Sequence, residues 1–314
     1  MKNKKGNSHG SITVSVITYN QEQFLEKALE SVFAQSRKAD EIVVVDNGSV
    51  DNTARVVKKY LGKIIYVRNK KNMGAARAFN QGLIAASSDY VILLSADDWF
   101  CETILEEEGA ILDKYPDIAV VYSQAYTWED GEVSLRVAEP AGKKTVIGRD
   151  EFERLLTQGD FIPLLTAMIR KSVYKELGLM DEKIKFRHDW EFWIKLARFY
   201  KFSYLAKPLA YWRLGESYGV SSSDFLKSFK YDFGYILKKH LGRAKSNNLL
   251  KVKRNAYQTF YFNLCEEKFY KGEYIEGLKL GVKAIRLKPS MSVFLNVLAR
   301  LAWNIKRRLK KISP

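Results

Sequence analysis

Short runs of β-branched residues alternate with helical patterns in the first third of the chain, and this alternation limits the fold more than any other feature. Ser11–Thr18 and Glu41–Asp46 are almost continuously apolar, as expected for strands covered on both faces of a parallel sheet. Between them, apolar residues recur at the spacing of one helical face. Lys63–Arg68 and Tyr90–Leu94 continue the pattern. We therefore expect a doubly wound α/β fold, in which helices flank a mostly parallel sheet.

The remaining residues divide into a mixed part and a helical part. Residues 99–220 combine helical patterns with strand-like runs at Ile118–Tyr126 and Phe161–Ile169. From Asp224 onward the pattern is only helical, and Tyr257–Pro289 has the layout of one helical hairpin of the tetratricopeptide kind.

The positive charge is concentrated in this helical part. The net charge is +16, and residues 227–314 contain 21 Lys and Arg against 5 Asp and Glu, whereas residues 1–226 contain 31 of each sign. Such a division usually separates two structural units. We expect residues 1–10 to be a disordered N-terminus, residues 11–222 to form the α/β domain, and residues 223–314 to form a basic helical region.

Composition excludes several classes of protein. The 17 Phe, 18 Tyr and 6 Trp are too much aromatic surface for a disordered chain. Two cysteines and three histidines exclude a disulfide framework and a thiolate-rich or histidine-rich metal centre. The N-terminal residues have no apolar signal-peptide core, and no stretch approaches the roughly 20 apolar residues of a spanning helix. We therefore expect a cytoplasmic protein.

Polar and acidic residues follow directly after three of the predicted strands, at Thr18–Asn20, Asp46–Ser49 and Ser95–Asp98. Open parallel sheets bind ligands at the carboxyl ends of their strands. Gly74 opens a further predicted helix and allows a ligand to approach the backbone, where a helix N-terminus favours anionic groups. Arg77, one turn later, is either a contact to such an anionic ligand or a surface arginine.

Five motifs in this order resemble the family 2 glycosyltransferases with the GT-A fold. They are VSVITYNQEQFLEKALESVFAQS, EIVVVDNGSVDNT, KNMGAARAFNQGL, DYVILLSADD and FRHDWEFWIKLARF. With the flanking residues they cover about residues 11–213. The resemblance implies a GT-A-like, Rossmann-type domain and an inverting sugar transfer from a nucleotide-diphospho-sugar, usually with Mg²⁺ or Mn²⁺.

The resemblance also implies roles for residues around the donor. Asp46 is either a turn residue or the acceptor of a hydrogen bond from the imide N–H of uracil or thymine. Asp97 stands at the position of the metal-binding aspartate, Asp98 either shares the metal or caps the next helix, and Ser95 replaces an acid that often contacts the ribose or the metal. The other donor-binding candidates are Thr18, Tyr19, Asn20, Asn47, Gly74, Arg77, Ala96 and Arg213.

Asp189 stands where the family has its general base, which removes the proton of the acceptor hydroxyl. Glu191, two residues later, is its rival, and a helix cap is the structural alternative. The loop Gly215–Ser223, rich in Gly and Ser, is either a lid over the donor or a flexible connector.

Residues 291–312 have the composition of an amphipathic helix that lies on an anionic membrane surface, although a helix packed on its own domain with a solvated charged face fits the same pattern. Its expected apolar face comprises Val293, Phe294, Val297, Leu298, Leu301 and Ile305. Nucleic acid is not an expected partner, because the sequence contains no recognisable reader module.

The leading hypothesis is an inverting transferase that moves a hexose or N-acetylhexosamine from a UDP-sugar to a glycan acceptor, lipid-linked, at the inner membrane face. One alternative is a sugar-1-phosphate nucleotidyltransferase, which is expected to have a Gly-rich basic loop that Thr18–Glu22 lacks. The other alternative is a non-catalytic, transferase-like membrane assembly partner, supported by Ser95 and Gly215.

Overall fold

The structure is a computed structural model that describes residues 9–129, 131–136, 148–214, 222–289 and 291–312. Their contacts define two compact units. Unit 1 runs to Phe152 and continues over Asp160–Ser222, and unit 2 comprises Glu153–Gly159 and the chain from Ser223 onward. At the N-terminus, His9 and the Gly10 N–H are hydrogen-bonded to Asp113, whereas the rest of the segment expected to be disordered lies outside the described residues.

Four parallel strands form the first half of the sheet in unit 1. They are β1 (Ile12–Thr18), β2 (Glu41–Asp46), β3 (Ile65–Arg68) and β4 (Tyr90–Ser95). The helices α1 (Glu22–Phe33), α2 (Thr53–Lys58) and α3 (Ala75–Ala85) connect them. All seven residues of β1 are buried, and Leu25 and Leu29 of α1 pack in the same core cluster. Burial of each such large aliphatic side chain contributes roughly 1.5–3 kcal/mol, which explains why near-continuous apolar runs form these strands.

The second half of unit 1 supplies strands of both directions. They are β5 (Trp99–Phe100), β6 (Ile118–Glu129), β7 (Glu132–Arg136), β8 (Ala167–Arg170) and β9 (Lys201–Arg213). Its helices are α4 (Ile104–Lys114), α6 (Lys171–Leu177) and α7 (His188–Ala197). The helix α5 (Gly148–Gln158) begins in unit 1, and its residues from Glu153 onward belong to unit 2. The strand order is β3-β2-β1-β4-β8-β6-β9-β5, with β7 paired to β6. The α/β fold is confirmed, but the sheet is mixed because β4–β8, β8–β6 and β9–β5 are antiparallel pairs.

The strand expected at Phe161–Ile169 is shorter than predicted. A 3₁₀ turn occupies Leu164–Thr166, and the strand begins only at Ala167. Pro163 precedes this turn, and its carbonyl accepts a hydrogen bond from the Thr166 N–H. Proline has no N–H to donate to a sheet, so the apolar run before it cannot continue as a central strand.

The topology places several strand ends at one edge of the sheet. From β1 the chain moves outward through β2 to β3 and then crosses to β4 on the other side of β1. Thr18 lies opposite Asp46, and Ile17 lies opposite Ser95. The carboxyl ends of β1, β2 and β4 therefore meet where the strand order reverses, which is the ligand site of open α/β sheets.

Unit 2 is helical in its described residues, which confirms the expected helical C-terminal region. It contains α8 (Ser222–Leu241), α9 (Asn247–Lys271), α10 (Tyr274–Leu287) and α11 (Met291–Ile312). Gly272 ends α9 in the left-handed conformation at φ 78°, which allows α9 and α10 to form a helical hairpin. Cys265 and Phe269 of α9 pack with Val297 of α11. Within the described residues, every helix is too short or too polar to cross a bilayer.

Candidate active site

Two adjoining cavities lie at the carboxyl ends of the strands in unit 1. The larger cavity has a volume of about 620 Å³ and the smaller cavity about 220 Å³, and Phe79, Ser95 and His188 line both. Thr18, Tyr19, Asn47, Gly74 and Arg77 are the other predicted residues on the wall of the larger cavity. Asp98 and Asp189 lie on the wall of the smaller one. The structure therefore brings together residues from all five predicted motifs.

The wall of the larger cavity offers groups that bind anions and hydroxyls. Gly74 precedes the first residue of α3 at φ 90°, and apart from its chain neighbours no atom of the described residues stands within 4 Å of the position a Cβ would take. The N-terminus of α3 is thus open to the cavity, where it favours negative charge. Arg77 and Lys185 add two cations. The buried hydroxyl of Thr18 has no hydrogen-bond partner within the described chain.

Asn47 organises the loop on one side of this cavity. Its side-chain oxygen accepts hydrogen bonds from Asn69 Nδ2 and the Met73 N–H, both at 3.0 Å. Its Nδ2 donates to Asn72 Oδ1 at 3.1 Å. Asn47 is almost fully buried although it contributes to the cavity wall. These bonds fix the chain just before α3, so the helix N-terminus is held in position without a ligand.

The structure does not place the carboxylate of Asp46 on either cavity wall. Its side chain is 0% exposed. One oxygen accepts the Ser49 N–H at 2.8 Å, and the other accepts the Tyr66 hydroxyl at 2.8 Å and lies 3.3 Å from Arg68 Nε. Burial and the bond to Asp46 raise the pKa of Tyr66. Here the carboxylate stabilises the turn after β2 instead of facing a base.

Asp97 and Asp98 place two carboxylates side by side after β4. The side chain of Gln21, which lines the larger cavity, lies beside the carboxylate of Asp97. One oxygen of Asp98 accepts the Arg213 N–H at 2.9 Å. Burial raises the pKa of Asp97, and burial together with the neighbouring Asp97 charge raises the pKa of Asp98 well above its usual range. A cation beside these two carboxylates would lower both pKa values.

Arg213 lies in an aromatic environment and not on a cavity wall. Its guanidinium carbon is 4.3 Å from the ring centres of Phe24 and Trp128 and 5.2 Å from that of Trp99. Its Nε donates to the backbone oxygen of Asp97 at 3.0 Å. In this structure Arg213 holds the segment that carries the two carboxylates, which differs from the predicted contact to donor phosphates.

Two further candidates also point away from the cavities. Ala96 is fully buried in the hydrophobic core of unit 1. Asn20 has φ 53°, its side chain accepts the Val50 N–H, and its own N–H donates to Ser49 Oγ. Asn20 thus ties the loop after β1 to the loop after β2.

Asp189 and Glu191 have different surroundings, although they share the first turn of α7. Asp189 is partly exposed and lines the smaller cavity, and one of its oxygens accepts the Trp190 N–H at 2.8 Å. Glu191 is 0% exposed and lies on the wall of neither cavity. Of the two carboxylates, only that of Asp189 is accessible to a ligand in either cavity.

A divalent cation is compatible with these donors. Among the described residues no cluster of three or more His, Cys, Asp or Glu side chains is arranged around one point. The protein would thus supply only part of the metal's ligand set, namely the two neighbouring carboxylates of Asp97 and Asp98. Carboxylate oxygens suit Mg²⁺ and Mn²⁺, and Mg²⁺ sites are commonly completed by substrate phosphates and water. The donor set fits a metal held jointly by protein and nucleotide.

Sequence reasoning missed Gln21, Glu182, Lys185 and Trp212, all of which line a cavity. Gln21 directly follows the strand-end triplet, so its position was a usable signal. Lys185 lies in an irregular segment before α7, where no periodic pattern identifies a wall residue. Asn80 holds this segment against α3, because its amide donates to the Met180 carbonyl at 3.0 Å and accepts the Met180 N–H at 2.9 Å.

An open α/β sheet with a polar cavity at its switch point is typical of nucleotide-binding proteins. Residues 13–178, more than half of the chain, match the family described as Glycosyl transferase family 2. The chain belongs to this family. An uncharacterized glycosyltransferase of Rickettsia typhi is 29% identical over 195 residues, which are 60% of this chain and 58% of that relative. The aligned part is thus less than two thirds of that relative's length.

Two solved structures show the same fold. TarS of S. aureus (residues 1–349, in complex with UDP-GlcNAc) is similar with a TM-score of 0.64 and 20% identity, over 94% of this chain and 89% of that one. The mannosyltransferase PcManGT of Pyrobaculum calidifontis, in complex with GDP-Man and Mn²⁺, is similar with a TM-score of 0.62 and 16% identity, over 95% of this chain and 81% of that one. The GT-A fold expected from the sequence is confirmed.

Proposed function

We propose that the protein is an inverting glycosyltransferase that moves a sugar from a nucleotide-diphospho-sugar to a glycan acceptor. The observation that carries this proposal is the junction of the two cavities: a helix N-terminus and two cations line the larger one, and Asp98 and Asp189 line the smaller one. The favoured donor is a UDP-hexose or UDP-N-acetylhexosamine. The structural similarity to a protein that binds UDP-GlcNAc supports this choice.

The larger cavity accommodates the nucleotide and its diphosphate. The N-terminus of α3 after Gly74, together with Arg77 and Lys185, attracts the phosphate oxygens. Thr18, whose buried hydroxyl has no partner among the described residues, and Tyr19, whose ring is exposed, lie on the wall that would meet the nucleoside. Asp97 and Asp98 would hold Mg²⁺ or Mn²⁺, which supplies positive charge to the departing diphosphate.

Asp189 is the proposed general base. The acceptor hydroxyl oxygen attacks the anomeric carbon from the side opposite the diphosphate, the bond to the diphosphate oxygen breaks, and the hydroxyl proton passes to the Asp189 carboxylate. The mixed apolar and polar wall around Asp189, with Leu164 and Trp212, partly excludes water from this step. A carboxylate in such surroundings removes a hydroxyl proton efficiently.

The test is the isosteric variant Asp189→Asn, with Asp117→Asn as a control at an exposed aspartate outside both cavities. We expect Asp189→Asn to bind UDP like the wild type, as measured by calorimetry, and to lose at least 100-fold in transfer, the scale of general-base catalysis. A transfer rate within threefold of the control would overturn the assignment of the base. Release of pyrophosphate from a nucleoside triphosphate and a sugar phosphate would instead indicate a nucleotidyltransferase.

The proposed acceptor is lipid-linked, and the proposed location is the inner face of the cell membrane, approached through residues 291–312. In this arrangement residues 11–222 contain the active site, and residues 223–314 bind the membrane that holds the acceptor. The strongly basic composition of residues 227–314 supports this division.

A further inference from the structure

Helix α10 in unit 2 exposes an apolar stripe that the sequence analysis did not identify. Ile275, Leu278 and Val282 lie at i, i+3 and i+7, and all three are exposed, Ile275 to 72%. The opposite positions, Gly277, Gly281 and Ala284, are buried. The helix is therefore apolar on two sides, and its packing in unit 2 uses only one of them.

Helix α11 has the same division. Val297 is buried against Gly281, and Leu301 packs against the same cluster. Met291, Phe294, Leu295 and Leu298 are exposed, Met291 to 72%. The apolar face expected from the sequence thus separates into a packed part, with Val297 and Leu301, and an exposed part, with Phe294 and Leu298. Val293 and Ile305, the other expected members, have side chains outside the described set.

The two exposed stripes lie on the same side of the helix pair. In α10, Val282 directly follows Gly281, which faces Val297 of α11, and in α11 Leu298 directly follows Val297. Each stripe is therefore rotated by about 100° in the same sense from its packing face. Because three residues join α10 to α11, the helices run antiparallel. An equal rotation on two antiparallel helices that face each other brings both stripes to one surface.

The two helices that carry this surface are rich in positive charge. Residues 274–312 contain ten Lys and Arg and one acidic residue, Glu276. Lys279 and Lys283 of α10 are exposed beside the apolar stripe. An apolar stripe flanked by cations binds at the boundary between lipid headgroups and acyl chains, where each basic residue adds attraction to anionic lipid. A second copy of the chain would instead bring two strongly positive surfaces together.

We propose that α10 and α11 together form one docking face for an anionic lipid bilayer. The face comprises Ile275, Leu278, Val282, Met291, Phe294, Leu295 and Leu298. Both helix axes lie parallel to the membrane plane, so the apolar side chains enter the headgroup boundary while lysines and arginines remain at the anionic surface. The inference deepens the proposed function and rests on it for the lipid-linked acceptor, but lipid binding by this face needs no catalysis.

The experiment measures sedimentation of the full chain with vesicles of phosphatidylcholine alone or with 30% phosphatidylglycerol. One variant changes α10 (Ile275→Ser with Val282→Ser) and another changes α11 (Phe294→Ser with Leu298→Ser). The matched control removes two exposed apolar residues of unit 1, Ile84→Ser with Phe199→Ser. We expect the wild type and the control to bind the anionic vesicles, and each unit 2 variant to bind at least tenfold more weakly.

Each other outcome is decisive. Equal binding by the α10 variant and the wild type would refute the two-helix face, and equal binding to neutral and anionic vesicles would refute the role of charge. Absence of wild-type binding, or a dimer in light scattering that the same variants dissociate, would overturn the lipid assignment. Donor hydrolysis without vesicles is measured in parallel, because its absence would count against the proposed transferase while leaving the docking face intact. Circular dichroism confirms that the variants are folded.

Discussion

The buried carboxylate of Asp46 provides the sharpest test of how the donor site is built. In Asp46→Asn the shape is kept, but one acceptor oxygen becomes a donor and the charge is lost. The substitution weakens three interactions of the carboxylate, which are those with the Ser49 N–H, the Tyr66 hydroxyl and Arg68 Nε. A hydrogen bond to a charged group contributes about 1.5–3 kcal/mol, and the half-exposed Arg68 contributes less than about 1 kcal/mol.

We therefore expect Asp46→Asn to lower the free energy of unfolding of unit 1 by about 2–4 kcal/mol. The matched variant Tyr66→Phe removes one bond and keeps the charge, so it should cost about 1.5–3 kcal/mol. At the size of unit 1, a loss of 3 kcal/mol lowers the melting temperature by about 6–12 °C. Thermal unfolding followed by circular dichroism measures both losses.

The same variants distinguish a positioning role of Asp46 from direct contact with the base. If Asp46 acts through the turn after β2, both variants lose stability, and their UDP affinity, measured by calorimetry well below the unfolding temperature, falls by a similar factor. The positioning role of Asp46 is refuted if Asp46→Asn melts within 1 °C of the wild type and binds UDP at least tenfold more weakly, while Tyr66→Phe binds normally. That pattern would place the carboxylate on the base, which is one of the two alternatives given by the sequence.

Three further predictions concern other parts of unit 1. Gly48→Ala should cost about 2–4 kcal/mol of stability in urea unfolding, because Gly48 has φ 85° and a Cβ there would lie 2.4 Å from a backbone carbon of the loop before α3. Arg213→Lys should lose the contact with Trp128 and the bond to the Asp97 carbonyl, and so weaken Mn²⁺ binding in calorimetry more than UDP binding. Glu108 is fully buried, and burial raises its pKa well above the usual range. The free energy of unfolding should therefore decrease as the pH rises above about 4.3 towards that raised pKa. Glu108→Gln should reduce this pH dependence, as measured by unfolding between pH 5 and 8.

The sequence predicted the parallel half of the sheet well because each strand there is apolar on both faces. β1, β2 and β4 begin and end within about one residue of the expected runs. The second half was harder to predict, since most of its strands pair across large sequence distances. Nothing local to Ala167–Arg170 indicates that β8 inserts between β4 and β6 in the opposite direction.

The site was predicted at the level of segments, and less well at the level of single side chains. Each of the five predicted motifs contributes a residue to a cavity wall, but Asn20, Asp46, Ala96, Asp97 and Arg213 lie on neither wall. Residues 215–221 of the predicted lid lie outside the described residues. Strand ends curve into loops, and the direction of each side chain there depends on tertiary contacts. The aromatic surroundings of Arg213, for example, combine Phe24 from α1 with Trp128 from β6.

The alternation of side chains after β2 and β4 has a functional consequence. Successive residues of an extended chain point in opposite directions, so Asp46 and Ala96 are turned into the protein while Asn47 and Ser95 reach the cavity wall. A substitution at an inward residue changes the site through the stability and position of the loop. A substitution at an outward residue changes the surface that the donor meets. Stability loss should therefore accompany changes in donor affinity at Asp46 and Ala96, and the two effects should separate at Ser95, whose side chain is free of the core.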